Sequence, residues 1–197
     1  MSLTRRLTLH LLALLPALPA LARTPAQMEG PFYPAPRMRF ADADNDLIRI
    51  EGAVRQAGGV PVHLTGRVLD RQGNPVAGAR VEIWQCDANG RYLHTGDTNP
   101  APRDPGFQGF GHVVTEEDGT YTFRTIRPVA YPGRTPHIHV KVLHPGGELT
   151  TQFYIADDPG NERDGLFRRL SPDDRQALSM TFAPGPEGPV AQVDIRL

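Results

Sequence analysis

The sequence contains a single cysteine and a single lysine, and both scarcities limit its chemistry. With Cys86 alone in 197 residues, no disulfide can form within the chain. Zinc sites built from thiolates and iron–sulfur clusters need several cysteines, so they are excluded as well. A lone cysteine is more often a small buried hydrophobe than a nucleophile. Lys141 is the only lysine, and we expect its side chain to face solvent.

The sequence also lacks an excess of charge of one sign. It contains 21 Lys and Arg residues against 22 Asp and Glu residues, so its formal net charge is -1. No overall field therefore favours nucleic acid or an acidic membrane, and we expect no nucleic-acid partner. The hydrophobic fraction of 39% and the charged fraction of 22% are those of an ordinary globular domain.

The first 22 residues differ from the rest of the chain. Arg5 and Arg6 precede an apolar stretch rich in Leu and Ala, which ends at the small-x-small triplet Ala20-Leu21-Ala22. This order is typical of a secretory signal peptide, and the arginine pair resembles a twin-arginine export signal. Residues 1–22 therefore predict export to the periplasm or the cell exterior, with no membrane association after their removal. A frayed N-terminal helix is the alternative.

Helical periodicity is scarce, whereas alternation of polar and apolar residues recurs along the chain. Runs with the two-residue period of a strand lie at residues 62–70, 79–84, 137–143, 150–155 and 190–195. Short strands separated by Gly- and Pro-rich turns are typical of β-sandwiches. The sequence therefore predicts an all-β fold, a β-sandwich of short and mainly antiparallel strands with long loops and little helix.

Two local signals refine this prediction. Residues 113–115 and 121–123 flank Asp118-Gly119, a turn pair that predicts a hairpin between them. Such a hairpin would place its two strands side by side in one sheet. Ser171 followed by Pro172 is typical of a helix start, which predicts one short helix that ends at about Leu178.

Proline and periodicity divide the mature chain into two parts. Residues 23–60 are rich in proline and show no period, which predicts an irregular segment that wraps over the folded body. Residues 61–197 carry the strand patterns and form the predicted β-sandwich domain. Within that domain, residues 90–109 have little periodicity, and an irregular stretch of this length inside a compact domain is often functional.

The strongest chemical feature of the sequence is His137-Ile138-His139. On a strand, residues i and i+2 point to the same face, so both imidazoles project together and Ile138 points the other way. Two histidines at this spacing can take neighbouring positions on one metal ion, although the pair alone is a weak signal. The apolar residues Val140 and Val142 that follow indicate a buried strand rather than a solvent face.

Further ligands must come from elsewhere in the chain, and spacing alone leaves their identity open. Carboxylates or a third histidine would make a zinc or copper site. Phenolate is the other option, because tyrosinate is a hard anionic donor suited to Fe(III) and metal binding lowers the pKa of the phenol. Tyr131 lies six residues before His137, and Tyr92 follows the predicted strand that ends at Trp84.

Seven short segments occur in a characteristic order along the chain. They are Glu29-Gly30-Pro31-Phe32-Tyr33, residues 75–85, Gly90-Arg91-Tyr92-Leu93-His94, Thr125-Ile126-Arg127-Pro128, Tyr131-Pro132, His137-Ile138-His139 and Leu149-Thr150-Thr151-Gln152. This combination resembles the intradiol ring-cleavage dioxygenases, especially the protocatechuate 3,4-dioxygenase type. The resemblance spans about residues 24–160, and the combination is specific although each segment alone is not.

The resemblance implies a β-sandwich enzyme that opens the ring of a small aromatic diol with O2 and yields a cis,cis-muconate-type diacid. It implies one Fe(III) per chain, held by the residues that match the family's ligands: Tyr92, Tyr131, His137 and His139. By the same matching, the expected catalytic residues are Tyr131, Arg134 and Gln152. The expected substrate contacts are Pro31, Trp84 and Arg134. Because the family usually assembles, a homo-oligomer is expected.

The sequence departs from the family's pattern beside these residues. The loop between Tyr131 and His137 is shorter than in the best-known members, and Gly133 stands where protocatechuate enzymes commonly have tryptophan. With that shortening, Arg134 aligns with either of two family arginines. His112 replaces a common arginine. These departures affect the identity of the catechol more than they affect metal binding.

Two other functions stay open at this point. Residues 66–83 also suit a non-enzymatic prealbumin-like β-sandwich used in adhesion or carbohydrate binding. A zinc or copper enzyme would combine His137 and His139 with a third histidine, taken from His94, His112 or His144. Iron content separates a binding module from a dioxygenase. Colour separates the zinc enzyme, because Zn(II) has no charge-transfer band with phenolate.

Overall fold

The computed structural model describes residues 22–53 and 55–197 of the chain. The predicted signal peptide, residues 1–22, lies outside the described residues except for Ala22, so it stays a prediction. Among the described residues, no helix is long and apolar enough to cross a bilayer.

Nine strands and one α-helix make up most of the regular structure of this described part. The strands are β1 (Pro61–Leu69), β2 (Arg80–Trp84), β3 (Phe110–Val114), β4 (Thr120–Ile126), β5 (His137–His144), β6 (Gly147–Ile155), β7 (Ser179–Met180), β8 (Val190–Gln192) and β9 (Ile195–Arg196). Short 3-10 helices lie at Pro36–Met38, Asn161–Arg163 and Phe167–Arg169. Helix α1 spans Pro172–Ala177 and begins as predicted, because the Ser171 hydroxyl accepts a hydrogen bond from Asp174 N at 3.1 Å.

The strands form two sheets that enclose one apolar core. In the first sheet β1 lies between β4 and β8 and also pairs with β9, and in the second the order is β3-β2-β5-β6-β7. Most neighbours are antiparallel, while β8 and β9 run parallel to β1 and β7 runs parallel to β6. Side chains from both sheets form the buried core cluster, among them Leu64, Phe123, Ile83, Ile138 and Val140. The predicted all-β sandwich is confirmed.

The predicted hairpin between β3 and β4 is wrong. Strand β3 pairs with β2 in one sheet and β4 pairs with β1 in the other, so the Asp118-Gly119 turn joins the two sheets. Gly119 has a φ of +77°, and a Cβ there would lie 2.6 Å from the Val68 carbonyl oxygen. The turn is therefore pressed against the end of β1. Turn chemistry specifies a reversal of the chain, but it does not specify which strands pair.

The outer face of the second sheet carries the polar residues of the predicted site. Trp84, His139 and Gln152 are direct neighbours across β2, β5 and β6. Lys141 lies on the same face and is only 8% exposed. The expectation that Lys141 faces solvent is therefore wrong. Its face is covered by the N-terminal segment, whose Gln27 N donates to the carbonyl oxygen of Thr150 on β6 at 2.8 Å.

Candidate metal centre

Strand β5 brings the two predicted histidine ligands together in the interior. His137 Nε2 and His139 Nε2 are 3.2 Å apart, and both residues are buried. His137 Nδ1 donates to the Thr135 carbonyl oxygen at 2.7 Å, which leaves the lone pair on Nε2. The His139 ring is held by Trp84, which stacks on it with ring centroids 4.7 Å apart.

Both imidazoles are neutral at ordinary pH. Burial, together with the charge of Arg134, lowers the pKa of His137 to about 3. Burial and the neighbouring His137 lower the pKa of His139 well below its usual value. A neutral imidazole keeps a free lone pair, so both side chains are in the protonation state that binds a metal ion.

Tyr92 reaches the same point from the long connection between β2 and β3. Its ring is buried, and its hydroxyl oxygen lies 3.4 Å from His137 Nε2. The connection is fixed locally, because Asp97 Oδ2 accepts from Tyr92 N at 2.7 Å. Burial raises the pKa of Tyr92 well above its usual value. The phenol therefore ionises only where a positive charge lies close to its oxygen.

Tyr131 lies on a tight turn that leads into β5. Arg134 N donates to the Tyr131 carbonyl oxygen at 2.9 Å, with Pro132 and Gly133 at the centre of the turn. Gly133 has a φ of +83°, and proline followed by a residue of positive φ is the signature of a type II turn. The Tyr131 ring is edge-on to that of Tyr92, with centroids 5.5 Å apart. Tyr131 is half-buried, and burial raises its pKa as well.

The structure places the predicted polar residues Arg134 and Gln152 beside the histidines. Arg134 Nη2 donates to Gln152 Oε1 at 2.5 Å, and Arg134 Nη1 lies 3.4 Å from His137 Nε2. Gln152 Nε2 donates to the Met28 carbonyl oxygen at 3.1 Å, which orients the amide. Tyr131, Arg134 and Gln152 are thus brought to one end of the donor cluster.

Sequence reasoning missed Asp164, which holds Arg134 in place. Its buried carboxylate accepts from Arg134 Nε at 2.8 Å and from Thr135 N at 3.0 Å through one oxygen. Leu166 N and Phe167 N donate to the other oxygen at 2.8 and 3.0 Å. Burial raises the pKa of Asp164, but the hydrogen bonds from Phe167 N and Arg134 outweigh burial and hold it below its usual value. The only local signal was an acidic residue just ahead of a short helical turn.

The two other predicted substrate contacts, Pro31 and Trp84, differ in exposure. Trp84 is fully buried against His139, so it orients that ring, and its contact with substrate stays a prediction. Pro31 is exposed, and both of its neighbours touch the donor cluster. A Cβ on Gly30 would lie 3.2 Å from His139 Cε1, and Phe32 stacks on the ring of Tyr92 with centroids 4.8 Å apart.

The donor set fits a metal ion. Two neutral imidazole nitrogens face each other beside a phenol oxygen, and a cation between them would satisfy all three lone-pair donors. Across residues 22–53 and 55–197, no three His, Cys, Asp or Glu side chains converge in a way that could hold a metal ion. The Tyr92 hydroxyl oxygen, 3.4 Å from His137 Nε2, is a further lone-pair donor beside the histidine pair.

Comparison with known proteins identifies the family. The family model described as Dioxygenase matches residues 28–178. The chain belongs to the intradiol ring-cleavage dioxygenase family. The chain is 38% identical over 149 residues to the protocatechuate 3,4-dioxygenase beta chain of Burkholderia cepacia, covering 71% of this chain and 63% of that protein. It is 37% identical over 123 residues to hydroxyquinol 1,2-dioxygenase of Rhizobium sp., covering 53% and 40%.

A solved structure agrees with this assignment. The dioxygenase domain of a dioxygenase carbohydrate-binding protein fusion from Streptomyces sp. SirexAA-E superimposes with a TM-score of 0.66 at 35% identity, covering 89% of this chain and 98% of that one. The chain spans 63% of the Burkholderia cepacia protein, 41% of catechol 1,2-dioxygenase from Candida albicans and 40% of the Rhizobium protein. It is therefore shorter than these curated relatives, while it matches the Streptomyces domain over nearly its whole length.

Proposed function

We propose that this chain is an Fe(III)-dependent intradiol dioxygenase. It would cleave a catechol-type ring, that of protocatechuate or a related diol, between the two hydroxyl-bearing carbons. Both atoms of O2 would enter the product, a cis,cis-muconate-type diacid. The observation that carries the proposal is the convergence of two phenols and two neutral imidazoles at one buried point. Family membership supports the reaction type.

Four side chains would hold one iron per chain, namely Tyr92, Tyr131, His137 and His139. When bound, Fe(III) supplies a Lewis acid and a template for the diol. The protein presents both imidazoles already neutral, whereas both phenols ionise only beside a cation because burial raises their pKa values. Loading of the site would therefore release a proton from each phenol.

The two tyrosines differ in their freedom to move, which assigns them different roles. Tyr92 is buried and tied to Asp97, whereas Tyr131 is half-buried on a turn. Around Gly133 in that turn, a Cβ would meet no atom within 4 Å, so the turn has open space beside it. A catechol must lose both hydroxyl protons before it binds as a dianion. The Tyr131 oxygen would accept one of them and the other would pass to solvent, while Tyr92 would stay fixed.

Arg134 and Gln152 would form the polar wall of the substrate site. Arg134 is a permanent cation, held by its ion pair with Asp164 at 2.8 Å. A preorganised cation beside His137 would stabilise the negative charge that develops on the substrate. Gln152 is oriented by Arg134 on one side and by Met28 on the other, so it would direct the substrate within the site. Pro31 would contact the substrate from the N-terminal segment.

The alternative functions have weaker support. A prealbumin-like binding module has no use for four donor side chains that meet in the interior. The predicted zinc or copper site would combine a third histidine with the pair. Within the described part of the chain, none of His94, His112 and His144 forms a possible metal cluster with the pair.

A panel of diols tests the proposal. Iron-loaded protein would be mixed with protocatechuate, catechol and hydroxyquinol while O2 uptake and product mass are measured. The expected product has the mass of the diol plus O2, and one diol should be strongly preferred. A boiled sample and a His137→Ala sample serve as controls. Protein that holds stoichiometric iron but consumes no O2 with any of the three diols would contradict the proposal.

We also propose that the mature protein is exported and assembles into a homo-oligomer. The Arg5-Arg6 pair and the triplet Ala20-Leu21-Ala22 support a removable signal peptide, whereas assembly rests on the family alone. Export predicts that the mature chain begins at Arg23, which N-terminal sequencing of the exported protein checks. Sedimentation velocity of the same material checks the oligomer.

A further inference from the structure

Lys141 is buried on strand β5, two residues after His139. Because alternate residues of a strand share a face, it points to the same side of the sheet as both histidines. Its Nζ forms an ion pair with Glu29 and lies 4.3 Å from the centre of the Tyr33 ring. A buried cation is costly unless it is paired, so the only lysine of the chain has specific partners in the N-terminal segment.

Charged side chains around Lys141 form a small network with Tyr33. The Tyr33 hydroxyl donates to Glu82 Oε2 at 2.5 Å, and Arg80 Nε donates to Glu82 Oε1 at 2.7 Å. Glu82 is buried on β2 and pairs with Arg80, while Glu29 pairs with Lys141. A third cation, Arg39, lies 5.1 Å from the centre of the Tyr33 ring. The network joins β2, β5 and the N-terminal segment through side chains.

Residues 30–32 of that segment contact two of the proposed metal ligands. Gly30 packs so closely on His139 that a Cβ would lie 3.2 Å from Cε1. Phe32 stacks on Tyr92, with ring centroids 4.8 Å apart and an interplanar angle of 29°. The position of residues 30–32 therefore determines how tightly the metal centre is enclosed on this side.

Tyr33, the residue after this stretch, acts on the metal centre indirectly, through the Trp84 ring. Tyr33 packs edge-on against Trp84 with ring centroids 4.9 Å apart. Trp84 in turn stacks on His139. Tyr33 therefore supports the ring that orients one proposed ligand, and Lys141 Nζ contacts the Tyr33 ring itself.

Backbone hydrogen bonds fasten the N-terminal segment before this stretch and again well after it, where Leu47 N donates to the Arg124 carbonyl oxygen at 2.8 Å. Gln27 N donates to the Thr150 carbonyl oxygen at 2.8 Å, and the Met28 carbonyl oxygen accepts from Gln152 Nε2 at 3.1 Å. For residues 29–33, no backbone–backbone hydrogen bond is formed with any other described segment. Side chains alone therefore hold this part of the chain against the sheet.

We propose that Lys141 and Glu29 form a latch that fastens residues 30–32 over the metal centre. Lys141 binds Glu29 just before the stretch and Tyr33 just after it, so one side chain fixes both ends. Both are positioning residues, because they act on the substrate wall through the residues between them. The role of that wall rests on the proposed function, whereas the latch itself is a property of the folded chain.

Two single variants and their combination test the latch. Glu29→Gln removes the charge of the acceptor, Lys141→Met removes the cation at similar length, and the double variant removes both charges. Asp46→Asn is the matched control. Asp46 pairs with Arg124 at 3.2 Å and ties the N-terminal segment to β4 in the other sheet.

The first two measurements, lysine acylation and amide hydrogen exchange, do not depend on catalytic activity. Because Lys141 is the only lysine, its acylation by an amine-specific reagent, followed by peptide mass spectrometry, reports its exposure without ambiguity. Glu29→Gln should speed this acylation by about tenfold or more, since the buried Lys141 ammonium loses its charged partner, the half-exposed Glu29. Amide hydrogen exchange of residues 29–33 should also accelerate in both single variants. Asp46→Asn should leave both rates at the wild-type value.

Kinetics of the iron-loaded protein test the positioning role. Each single variant should keep its iron but raise KM for the preferred diol by about tenfold, with a smaller change in kcat. The double variant should raise KM by no more than either single change, because the two side chains act as one pair. A role in stability alone would lower Tm without changing KM.

The latch is overturned if Lys141 acylates equally fast in the wild type and in Glu29→Gln while exchange of residues 29–33 is unchanged. Fully additive effects of the two substitutions on KM would overturn their action as a pair. If the wild-type protein consumes no diol, the proposed function fails, but acylation and hydrogen exchange still decide whether the latch exists.

Discussion

Asp164→Asn tests most sharply how the polar wall of the site is held. One oxygen of the carboxylate accepts from Arg134 and Thr135, and the other accepts from Leu166 and Phe167. Asparagine keeps only one acceptor oxygen. Whichever way its amide turns, one pair of N–H donors loses its acceptor and faces an NH2 group instead.

The expected loss of stability follows from the two backbone or side-chain N–H groups that would lose their acceptor. A buried donor without an acceptor costs about 1–3 kcal/mol, so the pair costs about 4 kcal/mol of unfolding free energy. For a domain of this size, Tm should then fall by about 8–16 °C. Arg134 would also lose its carboxylate partner, so kcat should fall by about 10²-fold, as when one electrostatic stabiliser is removed.

Thermal unfolding and O2 uptake measure the two effects, with the exposed Asp157→Asn as the control that should change neither. Adding Asp164→Asn to Arg134→Leu should lower turnover no further than Arg134→Leu alone, because Asp164 acts through Arg134. A Tm equal to that of the wild type, or a full additional loss of turnover in the double variant, would refute the reasoning.

Three further predictions test single groups. Arg134→Leu should keep iron and colour but slow O2 uptake by about 10²-fold; unchanged uptake would exclude Arg134 from stabilising charge on the substrate. Tyr131→Phe should keep much of the iron but slow substrate binding in stopped-flow absorbance, and a wild-type rate would exclude Tyr131 as the base. The pKa of Asp164 is lowered in the folded protein. The extra stability of the wild type over Asp164→Asn should therefore be complete above about pH 4 and vanish as the pH falls through the folded pKa. Acid unfolding curves of both proteins would show this.

Much of the fold was predictable because strand periodicity is a local property. The alternation at residues 137–143 located β5 and placed both histidines on one face, and the serine before Pro172 located helix α1. The pairing of β3 was not predictable in the same way. Its partner β2 is selected by packing across the whole sandwich, whereas the Asp118-Gly119 turn carries information only about its own four residues.

The site was predictable in part, for a related reason. Spacing placed the histidine pair, but Tyr92 and Tyr131 lie in irregular connections, so their convergence was implied only by resemblance to the family. Asp164 acts through contacts with Arg134 across 30 positions of sequence, and no local pattern marks such a partner. Lys141 was misjudged because the segment that buries it has no period of its own.

The metal content and absorption spectrum of the purified protein test the central claim most directly. If the two phenols and two imidazoles form the metal site, the protein should hold about one Fe(III) per chain and be red-brown from phenolate-to-iron charge transfer. His137→Ala and His139→Ala should each lose both iron and colour while remaining folded by circular dichroism. Colourless protein with stoichiometric zinc, or a folded histidine variant that keeps its iron and colour, would contradict the account.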